Sequence, residues 1–181
     1  MLTKNLKKMI ANETTNTKKW YVLKTPPRAE KKIHQLLLKN NFESYLPLQR
    51  KLRNWHDRKK WIEVPLFNSY IFIQIESKNR TKIFELHNAI KFLFIGKEIA
   101  TLLESEIEKI KLLCNYNGDI EITNEVLKIG DKIEITEGFF IGEVGYLVDL
   151  KGKTKFKISI NGLGCSAYVE VEQQNIRKYL N

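Results

Sequence analysis

The sequence predicts an α+β protein in two parts: an antiparallel sheet flanked by helices, then a small β-barrel. Three observations predict it. Runs rich in aromatic and β-branched residues alternate with helix-period segments through residue 115. Further on, short β-rich runs follow one another between turns. Eight of the nine glycines lie at or after position 118. The expected divisions are a flexible tail over 1–18, a first domain over 19–115, a linker over 116–127 and a barrel over 128–181.

The elements follow in order. The tail reads as a frayed polar segment, although Leu2, Leu6, Met9 and Ile10 could line one face of a short helix. "WYVLKT" (20–25) has strand composition. Pro26 and Pro27 end it, and Pro27 suits the first turn of a helix, where a missing N–H costs nothing. Ala29, Ile33, Leu36, Leu37 and Leu38 then recur at helical spacing, with Arg28, Lys31, Lys32 and Lys39 largely on the other side. Asn40 and Asn41 are a plausible stop.

Tyr45 to Leu52 and Lys60 to Val64 read as strands joined at the polar turn "NWHD". The segment "RKLRNWHDRKKW" (50–61), with six cations and two tryptophans, is therefore the far end of a hairpin. In "SYIFIQI" (69–75), Ile71, Ile73 and Ile75 point one way, and Tyr70, Phe72 and Gln74 the other. Both faces are largely apolar, so each meets something. A helix over 79–88 and a strand over 90–96 follow. Leu103, Ile107, Ile110 and Cys114 give a further helical period. "NYNGDIEITNEVL" shows no sustained period and reads as linker. Barrel strands are expected near 132–136, 143–149, 154–160 and 166–171.

The totals narrow the function. The 181 residues are 43% apolar and 29% charged, with a net charge of +10. Residues 1–117 carry 23 Lys/Arg against 11 Asp/Glu, and residues 118–181 carry 8 against 10. The first part is thus suited to a polyanion, nucleic acid first and an anionic membrane surface second. Cys114 and Cys165 are too few and too far apart for a disulfide framework, and three scattered histidines make no zinc site. No apolar run reaches the length of a membrane span, and the N-terminus lacks a signal-peptide core. His34, His56 and His87 have no nucleophile or carboxylate at a recognised spacing, and "NGLG" lacks the Lys-Ser/Thr of a phosphate loop. The expectation is a cytoplasmic, monomeric, non-enzymatic protein without metal or cofactor.

Two stretches carry a family resemblance. "WYVLKTPPRAEKKIHQLL" with "YLPLQRKLRNWHDRKKWIEVPLFNSYIFIQI" resembles the N-terminal domain of the NusG transcription factors, with the RfaH and UpxY branch nearest. "GDKIEITEGFFIGEVGYLVDL" resembles their KOW module, an SH3-like barrel. The likeness covers about residues 19 to 180 and keeps the family's module order. It implies a transcription elongation and antitermination factor that docks on the clamp helices of bacterial RNA polymerase. It further implies contact with DNA of the transcription bubble, and a ribosomal protein or termination factor on the KOW barrel. The UpxY likeness implies a surface polysaccharide operon. The alternatives are a housekeeping NusG and a ribosome- or RNA-binding KOW protein.

The candidate sites follow. The resemblance puts Phe67, Tyr70 and Phe72 on the polymerase-docking patch, with Lys24 beside them where an RfaH-like patch is aromatic and Asn68 where relatives often have proline. The isoleucines supply a core face, leaving the rings free as anchors. Arg50, Lys51, Arg53, Arg58, Lys59 and Lys60 lie on both arms of one hairpin and converge on phosphate. Trp55 is the expected base-stacking residue, with Trp61 partly in the core. Arg80 and Lys82 are further nucleic-acid candidates, against a reading of that stretch as a capped helix start. Arg28, Lys31 and Lys32 are secondary candidates, and Phe139 and Phe140 could be core or contact.

Overall fold

The computed structural model describes residues 17–54, 58–86, 90–123, 129–150 and 153–179. Trp55, His56, Asp57, His87 and the tail over 1–16 lie outside the described residues. In chain order the elements are β1 (Lys18–Lys24), α1 (Glu30–Lys39), β2 (Glu43–Tyr45), β3 (Leu48–Asn54), β4 (Lys59–Pro65), β5 (Tyr70–Glu76) and α2 (Arg80–Leu86). Four two-residue strands come next: β6 (Lys91–Phe92), β7 (Phe94–Ile95), β8 (Glu98–Ile99) and β9 (Thr101–Leu102). Then come α3 (Glu104–Asn115), β10 (Ile120–Thr123), β11 (Ile129–Ile135), β12 (Val144–Leu150), β13 (Lys153–Ile160), β14 (Cys165–Glu170) and β15 (Ile176–Lys178). The fold is α+β with antiparallel sheets, as the sequence predicts.

Two compact units result. One holds the chain up to Leu48 together with Pro65–Glu104; the other holds Gln49–Val64 with Ser105–Asn181.

The first unit is built on a sheet of order β2-β5-β1-β6, with β9 also on β1. Ile71, Ile73 and Ile75 join Tyr21 and Leu23 on one face, against Ile33 and Leu37 of α1 and Ile83 of α2. The period-2 pattern of the strand thus meets the helical period of α1, as expected. Pro26 and Pro27 do not open that helix. They lead into a turn in which Arg28 has φ 66°, and α1 starts at Glu30. At the other end, Asn40 N–H bonds to the Leu36 and Leu37 carbonyls, and Asn41 takes φ 60°, the left-handed stop. The expected strand over 90–96 is broken at Leu93. Its N–H bonds to the Val22 carbonyl, after which the chain leaves the sheet for the β7–β8 hairpin and turns at Gly96.

The second unit contains a six-stranded antiparallel path, β10-β14-β13-β12-β11-β15. Ser166 to Val169 are all buried, so the middle of β14 is covered on both faces. Phe156, Ile158 and Ile160 of β13 pack inside with Ile133, Ile135 and Val148. One segment differs from expectation. Ile120–Thr123, read as linker, is a strand paired with β14, and the buried Lys155 makes an ion pair with Glu121 on it. By compactness the hairpin and most of α3 group with this sheet. Within the unit, buried Gln49 donates to the Gly118 carbonyl at 3.4 Å, and Glu106 accepts from Gly162 N–H at 3.0 Å.

Gly145 sits near the start of β12, where it lies close against β13. A Cβ there would lie 2.6 Å from the Lys157 carbonyl oxygen and 2.7 Å from the Phe156 ring. Gly145→Ala is therefore expected to destabilise the second unit by about 1–3 kcal/mol, read as a lowered thermal midpoint.

Candidate functional site

The hairpin β3–β4 is a separate two-stranded sheet. In an ordinary strand, alternate residues turn inward. Here Arg50, Lys51, Leu52, Arg53 and Asn54 are all exposed, as are Arg58, Lys59, Lys60 and Trp61. The hairpin therefore stands clear of any core, and a bare two-stranded ribbon is only marginally stable in water. Its root is fixed through Gln49. The Arg50 guanidinium lies 5.4 Å from the Trp61 ring centroid, a cation–π pair. Trp61 is 55% exposed, which corrects the expectation that it is partly core. Hydrophobic residues stay in water only where nothing packs on them, and both faces here are open. The Trp61 indole is therefore open to solvent beside the Arg50 guanidinium, and Trp55, the expected stacking residue, lies outside the described residues. Six exposed cations in one ribbon repel one another, and a polyanion relieves that repulsion.

The docking patch needs a larger correction. Phe72 is fully buried and Phe67 nearly so. Val22 lies beside Phe72 across β1–β5, and the Tyr45 and Phe67 rings flank it at 6.2 and 6.1 Å. A bare phenylalanine face would cost roughly 1.5–3 kcal/mol per ring, so the chain covers it. The rings are not free anchors. What remains accessible is the end of the strands: Lys24 is exposed, and its cross-strand partner Tyr70 is half-buried.

The turn before Tyr70 is held firmly. Ser69 has φ 64°, unfavourable for a residue with a Cβ. Its N–H donates to the buried Glu30 carboxylate at 2.8 Å, and its carbonyl accepts from Thr25 N–H at 2.8 Å. A cleft of about 520 Å³ opens here, with Pro27, Arg28, Pro65, Asn68 and Ser69 in its walls.

Arg80 and Lys82 separate. Arg80 is tied down: its Nε donates to the Ser77 carbonyl at 2.9 Å, and its guanidinium lies 5.8 Å from the Tyr21 ring. Lys82 is exposed, as are Arg28, Lys31 and Lys32. In the second unit Phe140 is buried and Phe139 is 46% exposed, so one is core and the other is open to contact. Tyr116 packs on both rings, at 4.8 Å from Phe140 and 5.5 Å from Phe139. Burial pushes the Tyr116 phenol above its ordinary pKa, helped by the Glu170 and Asp119 carboxylates. Burial and the Glu106 carboxylate push the Cys165 thiol up to about 11, so it stays protonated and is a poor nucleophile. Among the described residues no helix is long and apolar enough to cross a membrane.

One charged neighbour was not legible beforehand. Lys91 of β6 lies directly across from Lys24. Nothing local in "IKFLF" reveals that pairing, because it joins segments far apart in sequence.

These features define a two-part α+β chain with a projecting cationic hairpin. The profile of the family described as "Transcription termination factor nusG" matches residues 18–111. The chain belongs to the NusG family of transcription termination and antitermination factors. It is 27% identical over 173 residues to the NusG protein of Streptococcus pyogenes serotype M3, covering 88% of this chain and 95% of that one. It is 23% identical over 190 residues to the NusG protein of Rickettsia bellii, covering 98% and 99%. A structure titled "Domain interaction in Thermotoga maritima NusG" superposes with a TM-score of 0.48 at 18% identity, covering 89% of this chain and 97% of that one.

If the hairpin neutralises about three phosphates, the logarithm of its DNA affinity falls against the logarithm of salt with a slope of about −2.7. Replacing Arg53, Lys59 and Lys60 by alanine is expected to bring that slope toward zero. Trp61→Ala is expected to weaken single-strand binding by about 1–3 kcal/mol while leaving the slope in place. Fluorescence anisotropy over a salt series measures both.

Proposed function

We propose that this chain is a transcription elongation and antitermination factor that binds bacterial RNA polymerase and suppresses pausing and termination. The observation that carries this reading is the hairpin: six exposed cations and an exposed indole on a member of the NusG family. The hairpin holds DNA of the transcription bubble through Arg50, Lys51, Arg53, Arg58, Lys59 and Lys60. Lys82 is a separate candidate for a nucleic-acid contact, and Trp61, with Trp55, stacks on unpaired bases. Lys24 and Tyr70 contact the clamp helices of polymerase. Phe67 and Phe72 support that contact from beneath, because they are buried. Phe139 is the exposed anchor for a ribosomal protein or termination factor.

The protein works as a non-enzymatic, cytoplasmic monomer. Two contacts on one assembly bias polymerase toward its elongating state by differential binding, with no bond made or broken. The likeness of "W-DRKKW" to UpxY members supports a narrower role on a surface polysaccharide operon. The near full-length match to proteins named NusG supports a housekeeping role instead. Chromatin immunoprecipitation separates the two, by signal over one operon or over all transcribed genes.

A tagged chain is expected to retain polymerase subunits from a nuclease-treated native lysate. Absence of polymerase would remove the reading. Tyr70→Asp is expected to lose that retention with unchanged circular dichroism. Phe72→Asp is expected to unfold the first unit instead, since it places a carboxylate at a fully buried site.

A further inference from the structure

At one end of the first sheet, three side chains form a row across adjacent strands. Tyr70 of β5 pairs with Lys24 of β1, and Lys24 pairs with Lys91 of β6. Residues directly opposite across antiparallel strands share a face, so the two lysines spring from neighbouring positions on one face. Both are exposed, and neither makes a hydrogen bond or ion pair among the described residues. Like charges in this position destabilise a sheet. The free protein thus carries a cost that a bound anion would relieve.

We propose that Lys24 and Lys91 together form a seat for a carboxylate on a protein partner, with Tyr70 packing beside it. The proposal rests on the polymerase-binding reading and adds Lys91 to it. It also gives the partner's chemistry: an Asp or Glu with an apolar neighbour that meets the Tyr70 ring.

One observation favours a protein carboxylate over a phosphate backbone. Two lysines with a half-buried tyrosine ring beside them make a point site with an apolar edge, whereas the hairpin supplies a charged track.

The test uses the full chain with core RNA polymerase, and Lys91→Glu alone and with Lys24→Glu. Lys91→Glu replaces a repulsive cross-strand pair by an attractive one. Its thermal midpoint is expected to rise while its polymerase affinity falls roughly three- to tenfold, most at low salt. Adding Lys24→Glu should return the midpoint toward wild type and weaken binding further. Affinity for a short DNA duplex and for a single strand should stay at the wild-type value throughout. Wild-type binding to polymerase that is indifferent to both changes overturns this proposal and leaves the polymerase reading intact. Lost DNA affinity with unchanged polymerase affinity overturns it in favour of a phosphate seat. Failure of the wild-type chain to bind polymerase removes the reading on which it rests.

Discussion

The middle of strand β5 is buried on both faces, and the rest of the first unit follows from that. Its isoleucines pack with Tyr21, Leu23 and the two helices on one side. Phe72 and Val22 are fully buried on the other. A face closed at its centre leaves its strand ends open, and there the exposed Lys24 and Lys91 stand with the half-buried Tyr70. The turn at Ser69 keeps that end in register, through one hydrogen bond to a buried carboxylate and another to the neighbouring strand.

The cationic hairpin solves the opposite problem. It has almost no core, so its geometry rests on its root and on contacts along its own length. Gln49 is buried and joined to Gly118, and the Arg50–Trp61 pair links the two arms. Charge density and exposure are compatible here because the apolar stem of each long side chain can lie along the ribbon while its head stays hydrated.

Local periodicity made much of this legible. The isoleucine face, the extent of α1 and its stop at Asn40–Asn41, and the four main strands of the second unit all follow from the spacing of apolar residues and the turn signals between them. What periodicity cannot supply is the partner of a face. An alternating strand apolar on both sides signals two covers without saying whether each belongs to the same chain. That is why Phe67 and Phe72 were expected to be open. Trp61 went the other way: an indole in a strand suggests burial, yet a ribbon exposed on both sides has nowhere to bury it. Ile120–Thr123 carries no strand signal because a four-residue edge strand is too short to show a period. Its place is set by Lys155, far along the chain.

That last pairing has a consequence for how the second sheet ends. β10 is an edge strand, and edges invite pairing with foreign backbone. Lifting it away would take from the buried Lys155 ammonium the Glu121 carboxylate that pairs with it, a cost added to the lost backbone hydrogen bonds. Partial fraying is thereby suppressed, and the margin behaves as a latch that is either shut or fully open. Any intruding chain would need its own acid in register to take the place.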